Sequence, residues 1–192
     1  NEHPTLVYTE YENFDDLVEN VSFSLSQNRV IGWFQGGSEI GPRALGNRSI
    51  IASPINSWMT GHINSDIKRR EWYRPFAPAV LFEHQGDVFE SSVYSPYMLV
   101  TTTVKEEWRN KVPAITHIDN SSRHQSVTVK NNPRFYSLIS KFNEKTGVPV
   151  LLNTSFNGPH EPIVETPMDA IGTFLSCNLD ILVLNNIVIT RG

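Results

Sequence analysis

The first stretch with the residue types for chemistry is the segment SEIGPRALGNRSI, residues 38–50, which holds Arg43 and Arg48 among glycines and a proline. Glycine lets a backbone approach a ligand closely, and arginine offers a planar fork of donors that matches phosphate. Two interpretations stay open: either arginine binds an anionic ligand, or it is tied structurally to a carboxylate such as Glu39. The structural interpretation applies above all to Arg48, which begins a predicted strand.

A second cationic segment, NSDIKRREWYRPFAP, places Lys68 at a helix end and Arg74 before a proline. Lys68 is offset by about 100° from the apolar face of that helix, so its side chain could lean over a pocket rim while Arg74 reaches in from the next strand. Trp72 and Tyr73 indicate a site partly screened from water, where a cation needs an anionic partner.

Three further arginines are less informative on their own. We interpret Arg69 and Arg70 as a solvated basic surface. Arg123, in the segment THIDNSSRHQSV, either contacts an anion or is a surface side chain beside a turn formed by Asp119 and Asn120. Its local sequence favours the turn.

Short polar side chains follow the predicted buried strand VPVLL, in the segment NTSFNGPHEP. Ligands of α/β sheets bind just past the carboxyl ends of strands, where amide and hydroxyl groups could hold nucleotide phosphates or ribose. The candidates here are Asn153, Thr154, Ser155 and Asn157. The alternative is a plain Asn-Gly turn.

Composition limits the classes of function. A chain of 192 residues with 39% hydrophobic residues can build its own core, and its net charge of -4 argues against nucleic acid or anionic membrane as partners. The single cysteine, Cys177, excludes an internal disulfide, and we interpret it as a core residue.

Without an apolar run of membrane-spanning length or a signal segment, a cytoplasmic protein is expected. The abrupt start suggests a piece of a longer chain.

No set of nucleophile, base and acid emerges from the sequence, and the histidines His62, His117 and His124 lack the spacing of a zinc site. No metal site is therefore expected in these residues. Several cations around one site suit phosphoryl or adenylyl transfer, in which the protein positions reactants and stabilises charge on phosphate oxygens.

The elements that must position these residues can be predicted from periodicity and end signals. Helices are expected around residues 14–25, 57–67, 133–146 and 167–175, and strands at RVIGWF, RSIIAS, RPFAPAVLF and VPVLL, with a closing hairpin DILVLNNIVIT. The segment SPYMLVTTTV is β-like. This alternation predicts a single α/β domain over residues 1–192, built on a twisted mixed sheet flanked by helices.

Together these segments resemble the C-terminal half of the nodulation-protein/antibiotic O-carbamoyltransferase family. The resemblance rests on GWFQG, EIGPRALGNRSI, INSDIKRREWYRPFAPAV, PAITHIDNSSRHQSV and TGVPVLLNTSFNGPHEPIVETPMDAI, which follow in order from about residue 28 onward. It implies a YrdC-like α/β domain. In the family this domain is joined to an N-terminal half with an actin-like ATPase fold, similar to the tRNA threonylcarbamoyl transferases.

The resemblance also implies a two-step reaction. ATP and carbamoyl phosphate give carbamoyl adenylate with release of pyrophosphate and phosphate, and the carbamoyl group then moves to a hydroxyl of a sugar or antibiotic-like acceptor. By position in the family motifs, the residues implied to bind carbamoyl phosphate and ATP are Arg43, Lys68, Arg74, Arg123, Asn153, Thr154, Ser155 and Asn157, with Arg43, Lys68 and Arg74 as the catalytic set. Mg²⁺ is expected with ATP.

Three positions depart from the family pattern, where Gly37, Ile40 and His124 stand in place of an arginine, an aromatic and an apolar residue. The N-terminal half, with its metal site and acceptor pocket, is not in this sequence, so this chain alone is expected not to complete transfer.

One alternative to the enzyme is a non-catalytic YrdC-like module that binds nucleotide or RNA, although an acidic chain argues against RNA. Another alternative is a structural partner domain, in which the four cations Arg43, Lys68, Arg74 and Arg123 would be scattered.

Overall fold

The computed structural model describes residues 5–192 and consists of ten strands and six α-helices. Short 3₁₀ turns lie at Phe82–His84 and Pro113–Ile115. In chain order the elements are β1 (Leu6–Glu10), α1 (Phe14–Ser26), β2 (Ile31–Phe34), β3 (Arg48–Ala52), α2 (Trp58–His62), β4 (Ala77–Leu81), α3 (Gln85–Val88), β5 (Thr101–Thr103), α4 (Glu106–Arg109), β6 (Ser121–Arg123), β7 (Gln125–Val127), α5 (Pro133–Thr146), β8 (Val150–Ser155), α6 (Pro167–Ser176), β9 (Ile181–Leu184) and β10 (Ile187–Arg191).

Eight of these strands form one mixed sheet in the order β1-β10-β9-β2-β3-β8-β4-β7. The β2–β9 and β4–β7 pairs are parallel, and the other neighbours are antiparallel. Strands β5 and β6 form a separate two-stranded ribbon. The predicted α/β fold with a mixed sheet is confirmed.

The hydrophobic core lies between this sheet and the helices. On α1, Leu17, Val18, Val21 and Leu25 are buried at the three- and four-residue spacing of a helix, and α1 packs against α5. Cys177 is 5% exposed and belongs to the same core, as predicted.

Helix ends follow their sequence signals closely. The Asn132 side chain accepts a hydrogen bond from the Phe135 amide at the start of α5, and Gly147 ends that helix in the left-handed region with a φ of 72°. Thr166 and Asp169 form a reciprocal capping box at the start of α6. The predicted β9–β10 hairpin is also present.

The helix predicted from residue 57 onward differs from expectation in its second half. Met59, Ile63 and Ile67 are fully buried, as their spacing of four residues predicts, and Ser57 at the start of α2 makes no side-chain capping hydrogen bond. After α2 the chain continues as a π-helical turn, Ile63–Ile67, closed by a hydrogen bond from the Lys68 amide to the Ile63 carbonyl. Wider turns of this kind are frequent at functional sites.

Two features of the sheets were not predicted. The edge strand β1 escaped prediction because most of its side chains are exposed and only its backbone pairing with β10 defines it. The segment around Arg123 forms two short strands, of which β6 joins the small ribbon and β7 joins the main sheet. Within the described residues, none of the helices has both the length and the apolarity needed to cross a bilayer.

Candidate anion-binding site

A pocket of about 410 Å³ opens beside the carboxyl end of β8. Among the residues that the structure describes, no aspartate or glutamate lines it. It brings together six of the eight predicted site residues, from four separate parts of the chain, and adds one more arginine: Arg43, Arg70, Arg74, Arg123, Asn153, Thr154 and Ser155. The guanidinium groups and the polar loop therefore share one concave surface, as an anion-binding site requires.

Arg70 is the functional candidate that the sequence interpretation missed. Its Nε donates to Asn64 Oδ1 at 2.7 Å, and its guanidinium lies over the Phe76 ring at 5.0 Å. Burial, together with the charge of Arg74, lowers the pKa of Arg70 below its usual value. The interpretation as solvated surface was wrong for Arg70, whereas the neighbouring Arg69 is exposed and lies outside the pocket lining.

Arg123 ends β6 with part of its guanidinium unpaired. Its Nε is buried and has no hydrogen-bond acceptor within residues 5–192. Burial lowers the pKa of Arg123, and the nearby charge of Arg43 lowers it further. The alternative turn is present as well, because Asp119 accepts from the Ser121 amide at 2.9 Å. Two close cations with a free buried donor are poised for an anion.

Arg74 lies on the open side of the pocket. Its nearest acid is Glu71, at 3.8 Å, and both side chains are about half exposed. The expected screening from water by Trp72 and Tyr73 is wrong: these rings are 70% and 66% exposed and line a neighbouring groove. The pocket thus admits charged ligands from solvent on this side.

Arg48 has a structural role, as one of the two interpretations held. Its guanidinium is buried, donates to the carbonyl oxygens of Gln35 and Gly36 at 2.9 and 3.0 Å, and stacks on the Phe34 ring at 3.5 Å. The expected acceptor was wrong, because these bonds go to backbone carbonyls and not to the Glu39 carboxylate.

Glu39 instead organises the loop that carries Arg43. One of its carboxylate oxygens accepts hydrogen bonds from the backbone amides of Leu45, Asn47 and Arg48, at 2.8, 2.7 and 3.2 Å. A carboxylate that gathers three amides fixes the backbone of a loop otherwise rich in glycine. A side chain of the loop itself, that of Glu39, therefore fixes the backbone that presents Arg43.

Lys68 is not on the pocket rim, so that expectation was wrong. It is 7% exposed, and its Nζ donates to the Ser155 carbonyl at 2.5 Å, the Asn157 carbonyl at 3.0 Å and Asn157 Oδ1 at 2.7 Å. Burial, followed by the charge of Arg70, lowers the pKa of Lys68 to about 7. Neither Lys68 nor Asn157 lines the pocket. Through its hydrogen bonds, the lysine stabilises the loop that follows β8.

Asn153 lies at the floor of the pocket and is 1% exposed. Its Nδ2 donates to the Ala44 carbonyl and to Gln125 Oε1, both at 3.1 Å. Its Oδ1 has no donor within the described residues. A buried acceptor without a partner is uncommon in proteins and calls for an explanation.

His124, between β6 and β7, takes an apolar role. It is fully buried and stacks on Phe89 with ring centroids 5.0 Å apart. Burial lowers the pKa of His124, which favours the neutral ring. Residues 5–192 contain no group of three or more histidine, cysteine, aspartate or glutamate side chains placed to hold a metal ion.

Solved structures with the same fold are distant in sequence. Sua5 of P. abyssi, complexed with L-threonine, matches with a TM-score of 0.64 at 11% identity over 90% of this chain and 47% of its own. Full-length HypF, in its phosphate- and nucleotide-bound form, matches with a TM-score of 0.57 at 15% identity over 98% of this chain and 23% of its own. These likenesses show a YrdC-like fold.

Sequence relatives are much closer. Nodulation protein NolNO of Sinorhizobium fredii is 44% identical over 96% of this chain and 28% of its own length. The 3'-hydroxymethylcephem-O-carbamoyltransferase of Streptomyces clavuligerus is 44% identical over 71% of this chain and 26% of its own. The chain spans about a third of the length of the curated relatives it matches. The family described as carbamoyltransferase C-terminus matches residues 22–191, and this chain belongs to it.

Proposed function

We propose that this chain is the domain of an O-carbamoyltransferase that binds ATP and carbamoyl phosphate and forms carbamoyl adenylate. One observation carries the proposal: within residues 5–192, four arginines and no carboxylate line a single pocket, and one of these arginines keeps a buried donor unpaired. ATP and carbamoyl phosphate together bring several negative charges that must be held close enough to react. Arg43, Arg70, Arg74 and Arg123 would supply that charge.

The proposed first step forms a bond between a carbamate oxygen and the α-phosphorus of ATP, with pyrophosphate as the leaving group. Carbamoyl phosphate supplies the carbamoyl group, and the release of its phosphate consumes one water, so that carbamoyl adenylate, pyrophosphate and phosphate account for all atoms. Arginines positioned in advance would stabilise the charge that develops on the leaving pyrophosphate. Because the pocket lining has no carboxylate, Mg²⁺ would be held mainly by the phosphates of ATP.

The similar fold of HypF, in a phosphate- and nucleotide-bound form, supports a nucleotide as ligand of this chain. Three of the four predicted cations, Arg43, Arg74 and Arg123, line one pocket, which supports the enzyme over a structural partner domain, in which the four would be scattered. We assign transfer to the acceptor hydroxyl to an N-terminal half of the same protein, and we place the protein in the cytoplasm, where ATP is available. A sugar or antibiotic-like acceptor fits the names of the relatives.

Calorimetric titration of ATP and of carbamoyl phosphate into the chain tests the proposal. We expect micromolar to millimolar binding that Arg74→Ala and Arg123→Ala each weaken by about tenfold or more, since each removes charge-assisted hydrogen bonds. Arg69→Asn is the matched control, because it removes an adjacent exposed cation outside the pocket. Asparagine tolerates the φ of 47° at that position.

Three results would contradict the proposal. Absence of binding with either ligand would overturn the proposed site. If Arg69→Asn weakened ligand binding as much as the pocket variants do, the affinity would come from general electrostatic attraction and not from this site. Tight ATP binding without pyrophosphate release when carbamoyl phosphate is added would favour the non-catalytic nucleotide-binding module.

A further inference from the structure

We propose that Asn64 is a positioning residue for two of the four arginines that line the pocket. Its amide group holds the Arg70 guanidinium through Oδ1 and the backbone that carries Arg74 through Nδ2. The inference rests on the proposed function, because it concerns how these two cations are held ready for phosphate groups. Asn64 itself does not line the pocket, so it acts through the arginines and not by contact with a ligand.

The side-chain amide of Asn64 spends its hydrogen bonds within the protein. Asn64 is fully buried, and its Oδ1 accepts from Arg70 Nε at 2.7 Å. Its Nδ2 donates to the carbonyl oxygens of Trp72 and Arg74, at 3.0 and 2.8 Å. A flipped amide would set its nitrogen against the Arg70 donor and its oxygen against two carbonyl oxygens, so only the observed orientation fits. One side chain thus connects the helix end to both arginines.

The contact between Asn64 and Arg70 depends on the π-helical turn Ile63–Ile67. In a continuing α-helix, residues six positions apart are separated by about 9 Å along the axis and about 120° around it, so they do not meet. Here the chain leaves the π-helical turn and changes direction at Arg69, which has a φ of 47°. The Arg70 amide thereby comes back to the Asn64 carbonyl, at 3.0 Å. The backbone and the side chain of Arg70 are both bonded to the same residue.

The hydrogen bond to Asn64 leaves the rest of the Arg70 guanidinium for a ligand. It is the one side-chain hydrogen bond that Arg70 makes within residues 5–192, so Nη1 and Nη2 remain as donors at the pocket that Arg70 lines. The Asn64 amide is neutral, and it therefore orients the guanidinium without neutralising its charge. A carboxylate at this position would instead compete with phosphate for Arg70.

The other half of the amide fixes the segment that carries Arg74. The Arg74 carbonyl is bonded to Asn64, and Pro75 follows, which restricts the backbone of the residue before it. The Arg74 side chain has only a weak ion pair, with Glu71 at 3.8 Å, and both groups are about half exposed. Its placement therefore comes from the backbone. Arginines that are positioned in advance lose less conformational freedom when they bind phosphate.

A double-mutant cycle, followed by calorimetric titration of ATP, tests this role. Asn64→Ala should weaken ATP binding about tenfold, and Arg70→Ala about as much, since each variant removes an oriented guanidinium. The double variant should lose less than about thirtyfold, short of the hundredfold product of independent effects, because much of the effect of Asn64 passes through Arg70. A residue that only stabilised the fold would show no such coupling in affinity.

Gln85→Ala is the matched control, because Gln85 is a buried amide with the same kinds of hydrogen bonds. Its Nε2 donates to the carbonyl oxygens of Ser91 and Val93, at 3.0 and 2.9 Å, and its Oε1 accepts from Ser126 Oγ at 2.5 Å. None of these three partners lines the pocket. Gln85→Ala should therefore lower stability to a similar extent and leave ATP affinity within about twofold.

A second measurement needs no variant of Asn64, in case Asn64→Ala does not fold. In NMR spectra of the unmodified chain, the Nε proton of Arg70 should exchange slowly with water, because it is bonded to a buried oxygen. The Nε proton of the exposed Arg69 should exchange fast and serves as the internal reference. Arg70→Lys and Arg69→Asn assign the two signals, since each variant removes one of them.

Each other outcome has a definite meaning. Unchanged ATP affinity in Asn64→Ala, or additive losses in the double variant, would overturn the inference and leave the proposed function standing. The same holds for an equal loss of affinity in Gln85→Ala, or for an Arg70 Nε proton that exchanges as fast as that of Arg69. Absence of ATP binding by the unmodified chain overturns the proposed function and the inference together.

Discussion

Lys68 is buried and Arg123 is half-buried with a buried Nε, but the protein pairs only Lys68 fully. Lys68 Nζ is surrounded by oxygens of Ser155 and Asn157, whereas Arg123 Nε has no acceptor within the described part of the chain. A buried donor with its own partners stabilises the fold, and one without partners is available to a ligand. Of the predicted cations, Arg123 is thus better placed than Lys68 to bind substrate directly.

The lowered pKa of Lys68 predicts a pH dependence of stability. Between the native pKa of about 7 and the ordinary value of 10.5, the unfolded chain binds a proton that the native chain does not. The free energy of unfolding should therefore rise with pH across this window, by at most about 1.4 kcal/mol per unit. Urea denaturation of the wild type and of Lys68→Met at pH 7, 8.5 and 10 checks this, since the difference between the two proteins cancels other titrations. A constant difference would show that Lys68 stays protonated in the native state.

At single positions, the sequence and the family resemblance predicted most of the residues that lie together in the pocket, and their role in binding stays a prediction. Arg43, Arg74 and Arg123 share a pocket with the polar residues that follow VPVLL, as the family resemblance implied. Arg70 could not be told from Arg69 by composition, because which of two adjacent arginines turns inward depends on the backbone. Here that backbone is a π-helical turn followed by Arg69 at a φ of 47°.

At the scale of elements, the loop between β2 and β3 depends on Glu39 for its shape. Glu39→Ala removes the acceptor of three backbone amides and should lower the free energy of unfolding by about 2 kcal/mol, with a smaller loss for Glu39→Gln, which keeps one acceptor oxygen. The same loop presents Arg43, so ATP affinity should fall as well. Denaturant melts and calorimetry measure the two effects.

The control for this loop is Glu165→Ala. It removes the same charge but only one side-chain hydrogen bond to the loop, from Ser38 Oγ at 2.9 Å. Its expected loss of stability is within about 1 kcal/mol. If Glu39→Ala were no less stable than this control, the carboxylate would not be what orders the loop.

Elements were predictable where a local signal marks them. The capped helices α5 and α6 and the hairpin β9–β10 carry their boundaries in the residues at their ends. The edge strand β1 carries no such signal, because one row of backbone hydrogen bonds to β10 holds it and its side chains are mostly exposed. The π-helical turn also has no distinguishing local signal, since a buried residue at every fourth position fits an α-helix as well.

For the whole molecule, the pocket would let an acidic chain bind the proposed phosphorylated ligands. The net charge is -4, yet four of its sixteen basic residues line one pocket without a carboxylate. Attraction is therefore local, and it acts over about the Debye length of 8–10 Å at physiological salt. The overall charge argues against nucleic acid, while the pocket argues for small phosphorylated ligands.

The chain should carry out the first half of the proposed reaction and not the second. With ATP and carbamoyl phosphate it should release pyrophosphate, because the arginines proposed to act in that step lie within these residues. It should give no carbamoylated acceptor, since it spans about a third of the length of its relatives and the proposed acceptor site lies in the rest. A pyrophosphate assay and mass spectrometry of an added hydroxylated acceptor measure the two steps, with the full-length protein as the positive control for transfer. Carbamoylated product formed by this chain alone would show that the acceptor site is within it, and would overturn the division of labour proposed between the two halves.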